Sequence, residues 1–216
     1  MISVRRKIRI EWSSNFAYAI GLIASDGNLA KEKGRISIKS ADKGLVNNFK
    51  FALGLRNKNT KSARGGEKTK KYLNVYFRDI TFYKFLNEIG LTPAKSKTIK
   101  KVIIPDKFFA DFLRGFFDGD GTFYSYWDKR WPNSFVFQMS FASASYKFIQ
   151  WLKNKLTKFY KVKGFVCRGD GVFNLRYVKR DSRKLYQIMY YGDNLLFLER
   201  KYFKIKNALE KDKSLH

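Results

Sequence analysis

The chain reads as an α+β protein built from two similar αββαββα units, and three observations carry that reading. An apolar helical segment ending in a carboxylate and glycine occurs twice, as Ala19-Ile20-Gly21-Leu22-Ile23-Ala24-Ser25-Asp26-Gly27 and as Phe112-Leu113-Arg114-Gly115-Phe116-Phe117-Asp118-Gly119-Asp120-Gly121. Each copy is followed by the same order of alternating and helical segments. The chain is 44% hydrophobic and 18% aromatic, enough to bury a core and to favour strands.

Taken in order, residues 1–13 form a basic arm, and Asn15 to Ser25 is the first apolar helix, capped by Ser13 or Ser14 and ended by Gly27. Residues 28–33 make a strand that turns at Lys33-Gly34, and Arg35 to Lys39 alternates as a half-buried strand. Asp42 caps a helix through Leu53, closed by Gly54. Strands near 60–64 and 71–78 flank a Gly65-Gly66 turn. A helix from Thr81 to Ile89 stops at Gly90, and Leu91 to Pro105 is a connector. In the second half, Phe108 to Asp118 is helical. Thr122–Trp127 and Ser134–Phe141 are strands joined through Pro132-Asn133. Ser143 or Ser145 caps a helix through Leu156, and strands at Val162–Arg168 and Val172–Tyr177 surround Gly169-Asp170-Gly171. Asp181 opens a helix to Tyr190, and Leu198 to Lys211 is the last helix.

The halves align: Asp26 with Asp120, Ile38-Lys39-Ser40 with Phe141-Ala142-Ser143, Leu73, Val75 and Phe77 with Phe173, Leu175 and Tyr177, and Lys95 with Lys201. Two such units, 1–100 and 101–216, imply a pseudo-dimer about a pseudo-two-fold axis, with six or more antiparallel strands in two sheets.

Charge bounds the function. Lys and Arg number 45 against 18 Asp and Glu, a net +27. A folded, aromatic-rich domain with that excess is expected to bind a polyanion, nucleic acid first. The one histidine is His216, so histidine-dependent nuclease sites, zinc sites and Ser-His-Asp triads lack their parts. Hydrolysis here has to be run by carboxylates with a divalent metal. No apolar run reaches the ~18 residues of a membrane span. The N-terminus has no apolar h-region, and the single Cys167 points to a reducing compartment. The protein is expected to be intracellular, with DNA in a prokaryotic cytoplasm or an organelle, and not secreted.

Gly21 and Gly115 sit at matched mid-helix positions. Mid-helix glycine costs about 1 kcal/mol against alanine, which is tolerable where another backbone must come close. Ala17, Gly21 and Ser25 share one face of the first helix; Asp111, Gly115 and Gly119 share one face of the second. The two helices are therefore expected to cross at these small residues. That crossing brings Asp26 and Asp120 together at the two C-terminal ends. There they repel each other and oppose the helix dipoles, and hard divalent cations relieve both problems.

These paired motifs resemble the signature of LAGLIDADG homing endonucleases in their monomeric two-repeat form, over essentially the whole chain. The second motif matches closely; in the first, Ala24 replaces the first acidic residue. The resemblance implies a saddle of antiparallel sheets with the two motif helices at its centre. It implies cleavage of both strands of a long, asymmetric duplex site across the minor groove, leaving short 3′ overhangs. It implies Mg²⁺, with Mn²⁺ or Ca²⁺ able to substitute for binding. Asp26 and Asp120 become the metal ligands, with the backbone carbonyls of Ser25 and Gly119 beside them, and Asp118 becomes structural. Lys95, in competition with Lys97, and Lys201 become the basic residues near the scissile phosphates, and Ser40 and Ser143 take the water-organising position.

Strand alternation defines the recognition face. With Ile36, Ile38, Leu73, Val75 and Phe77 inward, Arg35, Ser37, Lys39, Tyr72, Asn74, Tyr76 and Arg78 face outward. The second repeat supplies Tyr124, Tyr126, Gln138, Ser140, Asn174 and Arg176. Such residues can read base edges from a sheet laid in the major groove. Lysines within 58–71 and 153–163 would neutralise phosphates. The alternative readings are an intron maturase that uses the same fold to bind intron RNA, and a DNA-binding regulator derived from the fold, a class that usually loses the acidic pair present here. Intein-type splicing residues are absent at the ends, so an intron-encoded or free-standing frame is expected.

Overall fold

The structure is a computed structural model that describes residues 8–31, 34–63, 69, 71–131 and 134–215. The expected turns at Lys33, Gly65-Gly66 and Pro132-Asn133, the first seven residues of the arm, and His216 lie outside them. The first half runs α1 (Ser14–Ser25), β1 (Gly27–Leu29), β2 (Arg35–Ser40), α2 (Lys43–Ala52), β3 (Thr60–Ser62), β4 (Tyr72–Arg78), α3 (Ile80–Glu88) and a short α4 (Lys95–Thr98). The second runs α5 (Phe109–Asp120), β5 (Gly121–Trp127), β6 (Phe135–Ser143), α6 (Tyr146–Tyr160), β7 (Phe165–Arg168), β8 (Phe173–Val178), α7 (Lys179–Met189) and α8 (Glu199–Lys213). The two four-stranded antiparallel sheets are ordered β1-β2-β4-β3 and β5-β6-β8-β7, the same topology twice.

Local chemistry sets most ends. Ser13 caps α1 by accepting from Phe16 N, Asp42 caps α2, Asp79 caps α3 and Ser145 caps α6. Gly54 and Gly90 leave α2 and α3 at positive φ, 63° and 102°, a region costly for residues with a Cβ.

Several expected boundaries shift. β1 covers Gly27–Leu29 rather than 28–33, and Gly27 opens that strand while Asp26 caps α1. α5 continues through Asp120, two residues past the expected end, because Gly121 goes directly into β5. The connector after Gly90 holds α4 and a 3₁₀ turn at Asp106–Phe108. α7 begins at Lys179, so Asp181 is not its cap; it lies buried in the first turn. The arm does not stay free beyond residue 8. Ile8 N–H donates to Asp79 at 2.8 Å, and the Trp12 ring packs on Phe16, Phe85 and Phe108.

α1 and α5 are the buried centre. Along α1, Phe16 through Ala24 are all buried, and along α5, Phe109 and Asp111 through Asp118. A helix buried on every side cannot rest on amphipathicity; it is held by what packs around it. Gly21 and Gly115 mark the crossing. A Cβ on Gly21 would fall 2.6 Å from Phe116 N and closer still to Phe112 O. A Cβ on Gly115 would fall 2.9 Å from the Tyr18 carbonyl carbon and closer to its oxygen. Ala17, one turn before Gly21 on the same face of α1, is fully buried. Each sheet's inner face then covers one side of this pair, with Ile36, Ile38, Val75 and Phe77 in one half and Met139, Phe141, Leu175 and Tyr177 in the other. Leu73, expected inward, is only half-buried because it lies near the end of β4.

Candidate nuclease centre and nucleic-acid face

The crossing brings the two helix C-termini together. A Cβ on Gly119 of α5 would fall 2.8 Å from the Asp26 carboxylate and against the Ser25 side chain. Asp26 is half-buried and Asp120 opens to solvent, yet both stand among enough protein atoms for desolvation to dominate their ionisation. Burial, then the Asp26 charge, pushes Asp120 up to about 6. Asp26 is raised by burial against the opposing pull of Lys201 and Lys95. The two like charges repel each other across this point. Among the described residues, neither carboxylate has a hydrogen-bond or ion-pair partner, and no third acidic, histidine or cysteine side chain joins them.

Lys95 and Lys201 are both buried beside this pair, whereas Lys97 is exposed. Lys95 Nζ donates to the Gly27 carbonyl, just past α1. Lys201 Nζ donates to the carbonyls of Phe117 at 2.7 Å, Gly119 at 3.2 Å and Gly121 at 2.6 Å, closing the end of α5. Burial lowers both ammonium groups to about 8 against the pull of the aspartates. Each lysine therefore adds an ammonium donor where a central helix turns into its first strand, and carries a positive charge to the carboxylate pair.

Asp118 is fully buried and turned away from that pair. It accepts from Tyr18 Oη and Leu198 N–H, each at 2.7 Å, which binds α1, α5 and the start of α8. A second buried network was not expected from the sequence. Arg114 donates to Asp111 at 2.7 Å, to Met189 O at 2.7 Å and to Leu196 O at 2.8 Å, and Asp111 also accepts from Ser14 and Tyr191. Its signal is legible in retrospect: an Asp and an Arg three apart inside an otherwise apolar helix.

Two carboxylates and nearby carbonyls are hard oxygen donors. They fit an ion such as Mg²⁺, which binds one or two carboxylates and keeps waters or phosphate oxygens for the rest of its shell. The Gly119 carbonyl is shared with Lys201. Ser40 and Ser143 are half-buried at the ends of β2 and β6, where Ser40 accepts from Asp42 N–H and Ser143 from Ser145 N–H.

The outer sheet faces correspond row by row. Ser37 faces Tyr76 as Ser140 faces Arg176, Lys39 faces Asn74 as Ala142 faces Asn174, and Arg35 faces Arg78 as Gln138 faces Val178. Arg35, Lys39, Tyr76, Arg78 and Tyr126 are exposed; Ser37, Tyr72, Asn74, Tyr124, Gln138, Asn174 and Arg176 are partly so. Ser140 departs from expectation. It lies in the outward register but is only 6% exposed, a short side chain flanked across the strands by Thr122 and Arg176. Lys39 donates to Ala63 O at 2.8 Å and lies 5.0 Å from the Tyr72 ring. Gln138 Oε1 and Arg176 Nε are buried without a partner among the described residues.

The class this architecture defines is the two-repeat LAGLIDADG fold. Residues 13–90 match the LAGLIDADG-like domain family, and this is the half whose motif is degenerate. Solved structures extend the likeness to most of the chain. The LAGLIDADG meganuclease I-AabMI bound to uncleaved DNA is 13% identical with a TM-score of 0.63, over 93% of this chain and 91% of that one. I-DmoI in complex with DNA and Mn is 17% identical with a TM-score of 0.56, over 83% and 97%. Full-length DUF199/WhiA from Thermatoga maritima is 13% identical with a TM-score of 0.54 over 94% of this chain, which spans 63% of the length of that protein. Among curated proteins no sequence matches. At these identities the likeness is one of fold.

Proposed function

We propose that the chain is a divalent-metal-dependent endonuclease that cuts both strands of a long, asymmetric DNA site. The observation that carries this reading is the pair Asp26 and Asp120, brought to one point by crossing glycine helices and each accompanied by a buried lysine. Two sheet faces with matched polar rows flank that point, and the net charge of +27 suits a duplex. DNA in the structures of I-AabMI and I-DmoI, and Mn in the latter, support the same substrate and cofactor class.

In this reading, the halves 1–100 and 101–216 each take one half-site, and a single chain suffices. Asp26 and Asp120 serve one strand each across the minor groove. They orient water for in-line attack on phosphorus, with the 3′ oxygen as leaving group. Lys95 and Lys201 hold the helix ends that carry the aspartates and place positive charge beneath the phosphates. Bound Mg²⁺ would acidify the attacking water and stabilise the leaving oxygen. The outer-face residues read base edges.

The test is a cleavage selection on a randomised duplex library with Mg²⁺, run on wild type, Asp26→Asn and Asp120→Asn. Wild type should yield double-strand breaks at a selected site, and either variant should bind that site and lose more than ~100-fold in double-strand cleavage, the scale of removing one major transition-state contact. Binding without any cutting by wild type sinks the nuclease reading and favours intron-RNA binding. Normal cutting by one variant sinks the shared centre.

A further inference from the structure

We infer that Asn48 and Tyr18 are positioning residues for Lys201, and that they make the two cutting centres unequal. This rests on the nuclease reading above. Leu198 stands at the N-cap of α8 and gives it no side-chain cap. The start of the helix is held instead at the peptide unit just before it, by both of that unit's polar groups. Asn48 Nδ2 of α2 donates to the Phe197 carbonyl at 2.8 Å, and the Leu198 N–H donates to Asp118 Oδ2 at 2.7 Å. Phe197 O and Leu198 N belong to one planar peptide, so turning that plane breaks both bonds. Tyr18 closes the ring: its hydroxyl donates to the same Asp118 oxygen at 2.7 Å and accepts from Asn48 at 3.4 Å.

Lys201 lies in the first turn of α8, with its N–H on the Leu198 carbonyl at 2.9 Å. Its ammonium reaches the Gly119 and Gly121 carbonyls, one on each side of Asp120. The peptide gripped by the ring therefore sets the point from which Lys201 reaches the Asp120 end. Asn48 and Tyr18 come from the first half of the chain and act on a lysine of the second. Arg200, beside Lys201, pairs with Asp42 at the start of α2 at 2.5 Å, so α2 braces α8 at two points.

The matched positions around the first centre are apolar. Six residues past the caps Asp42 and Ser145, Asn48 of α2 corresponds to Trp151 of α6. Tyr18 corresponds to Phe112, and Asp118 to Ala24. Phe112 and Trp151 meet edge to face, with ring centroids 6.1 Å apart, where the other side has hydrogen bonds. α4 starts from Ala94 at φ 53° with no side-chain cap, and Lys95 donates to the Gly27 carbonyl. α6 holds α4 at its far end, where Ser145 donates to Ile99 O, past the lysine rather than before it. A group already held in place costs less to order during reaction, so the strand served by Lys201 should be cut first.

The test uses Asn48→Leu, at a half-buried position, and Tyr18→Phe, which keeps the buried ring and gives α1 the residue that α5 carries at the matched place. Nicking of each strand of a selected site is followed separately on a duplex labelled at both 5′ ends, and Lys201→Met identifies the strand that Lys201 serves. Wild type should cut that strand first. Each variant should slow it on the order of 10-fold, less than the roughly 100-fold that a misplacement of about 1 Å can cost, and leave the other strand within about 2-fold. In metal-free protein without DNA, trace acetylation read by mass spectrometry should rise at Lys201 in both variants and stay constant at Lys95. Equal slowing of the two strands, or unchanged acetylation of Lys201, overturns the positioning role. A wild type that cuts no duplex overturns the unequal centres together with the nuclease reading, while a rise in Lys201 acetylation still supports the hold on α8.

Discussion

At the scale of single residues, the glycines of the central helices are the most constrained positions. In an isolated helix, Gly115→Ala would gain about 1 kcal/mol. Here the added methyl meets the Tyr18 backbone, which has nowhere to go without parting the helices. The variant should lose about 3 kcal/mol or more on urea unfolding, at the upper end of overpacking. Gly54→Ala meets nothing within 4 Å, so its loss comes from its positive φ alone and should be near 1 kcal/mol. Equal losses at the two sites would contradict the close crossing. Asp118 offers a pH test. Burial holds its carboxyl at about 6, above the ordinary value of 3.8, despite hydrogen bonds from Tyr18 and Leu198. A raised acid binds its proton more tightly in the folded state, so its contribution is present below pH 4 and is lost as pH rises toward 6. Asp118→Asn removes that titration. Its stability relative to wild type should rise between pH 4 and 6 in metal-free buffer and level off above.

Among elements, α4 and α8 do the same work with unequal strength. Both deliver a buried lysine to the end of a central helix, but Lys201 holds three carbonyls and Lys95 one. Charged hydrogen bonds contribute about 1.5–3 kcal/mol each at most, and orphaned carbonyls add their own cost. Lys201→Met should therefore destabilise by about 3 kcal/mol and Lys95→Met by about half that, as read from urea midpoints at constant slope. Equal losses would mean that the three-carbonyl cap is not what holds α5. Legibility divides along the same line. The alignment of the halves picked out Lys95 and Lys201, and the cap residues Ser13, Asp42 and Ser145 act where the sequence placed them. The targets of the two ammonium groups were not legible, because carbonyls belong to every residue and only packing selects among them. Arg114 was missed for a related reason: Asp111, three residues away, is its one sequence-local partner, and the Met189 and Leu196 carbonyls it also holds come from a distant part of the chain.

For the molecule as a whole, the nuclease proposal predicts that charge governs binding and metal governs cutting. With net charge +27 on a folded body, duplex affinity should fall steeply with salt, with a log–log slope set by the phosphates neutralised. Chelation with EDTA should stop cleavage and leave binding measurable by anisotropy. Loss of binding on chelation would mean that the ion serves the complex rather than the chemistry. No helix among the described residues is long and apolar enough to cross a membrane.

By itself the sequence determined the doubled αββαββα order, the small residues at which the helices cross, the aspartate pair and the alternation that separates core from face. These follow from local periodicity and from comparing one half with the other. The tertiary structure alone decided that burial raises both aspartates, which carbonyls the lysines reach, that Ser140 is covered, and that Arg9 and Arg56 line one cleft with Arg35 and Arg78. Each of those depends on atoms brought together from distant positions, and no spacing along the chain encodes them.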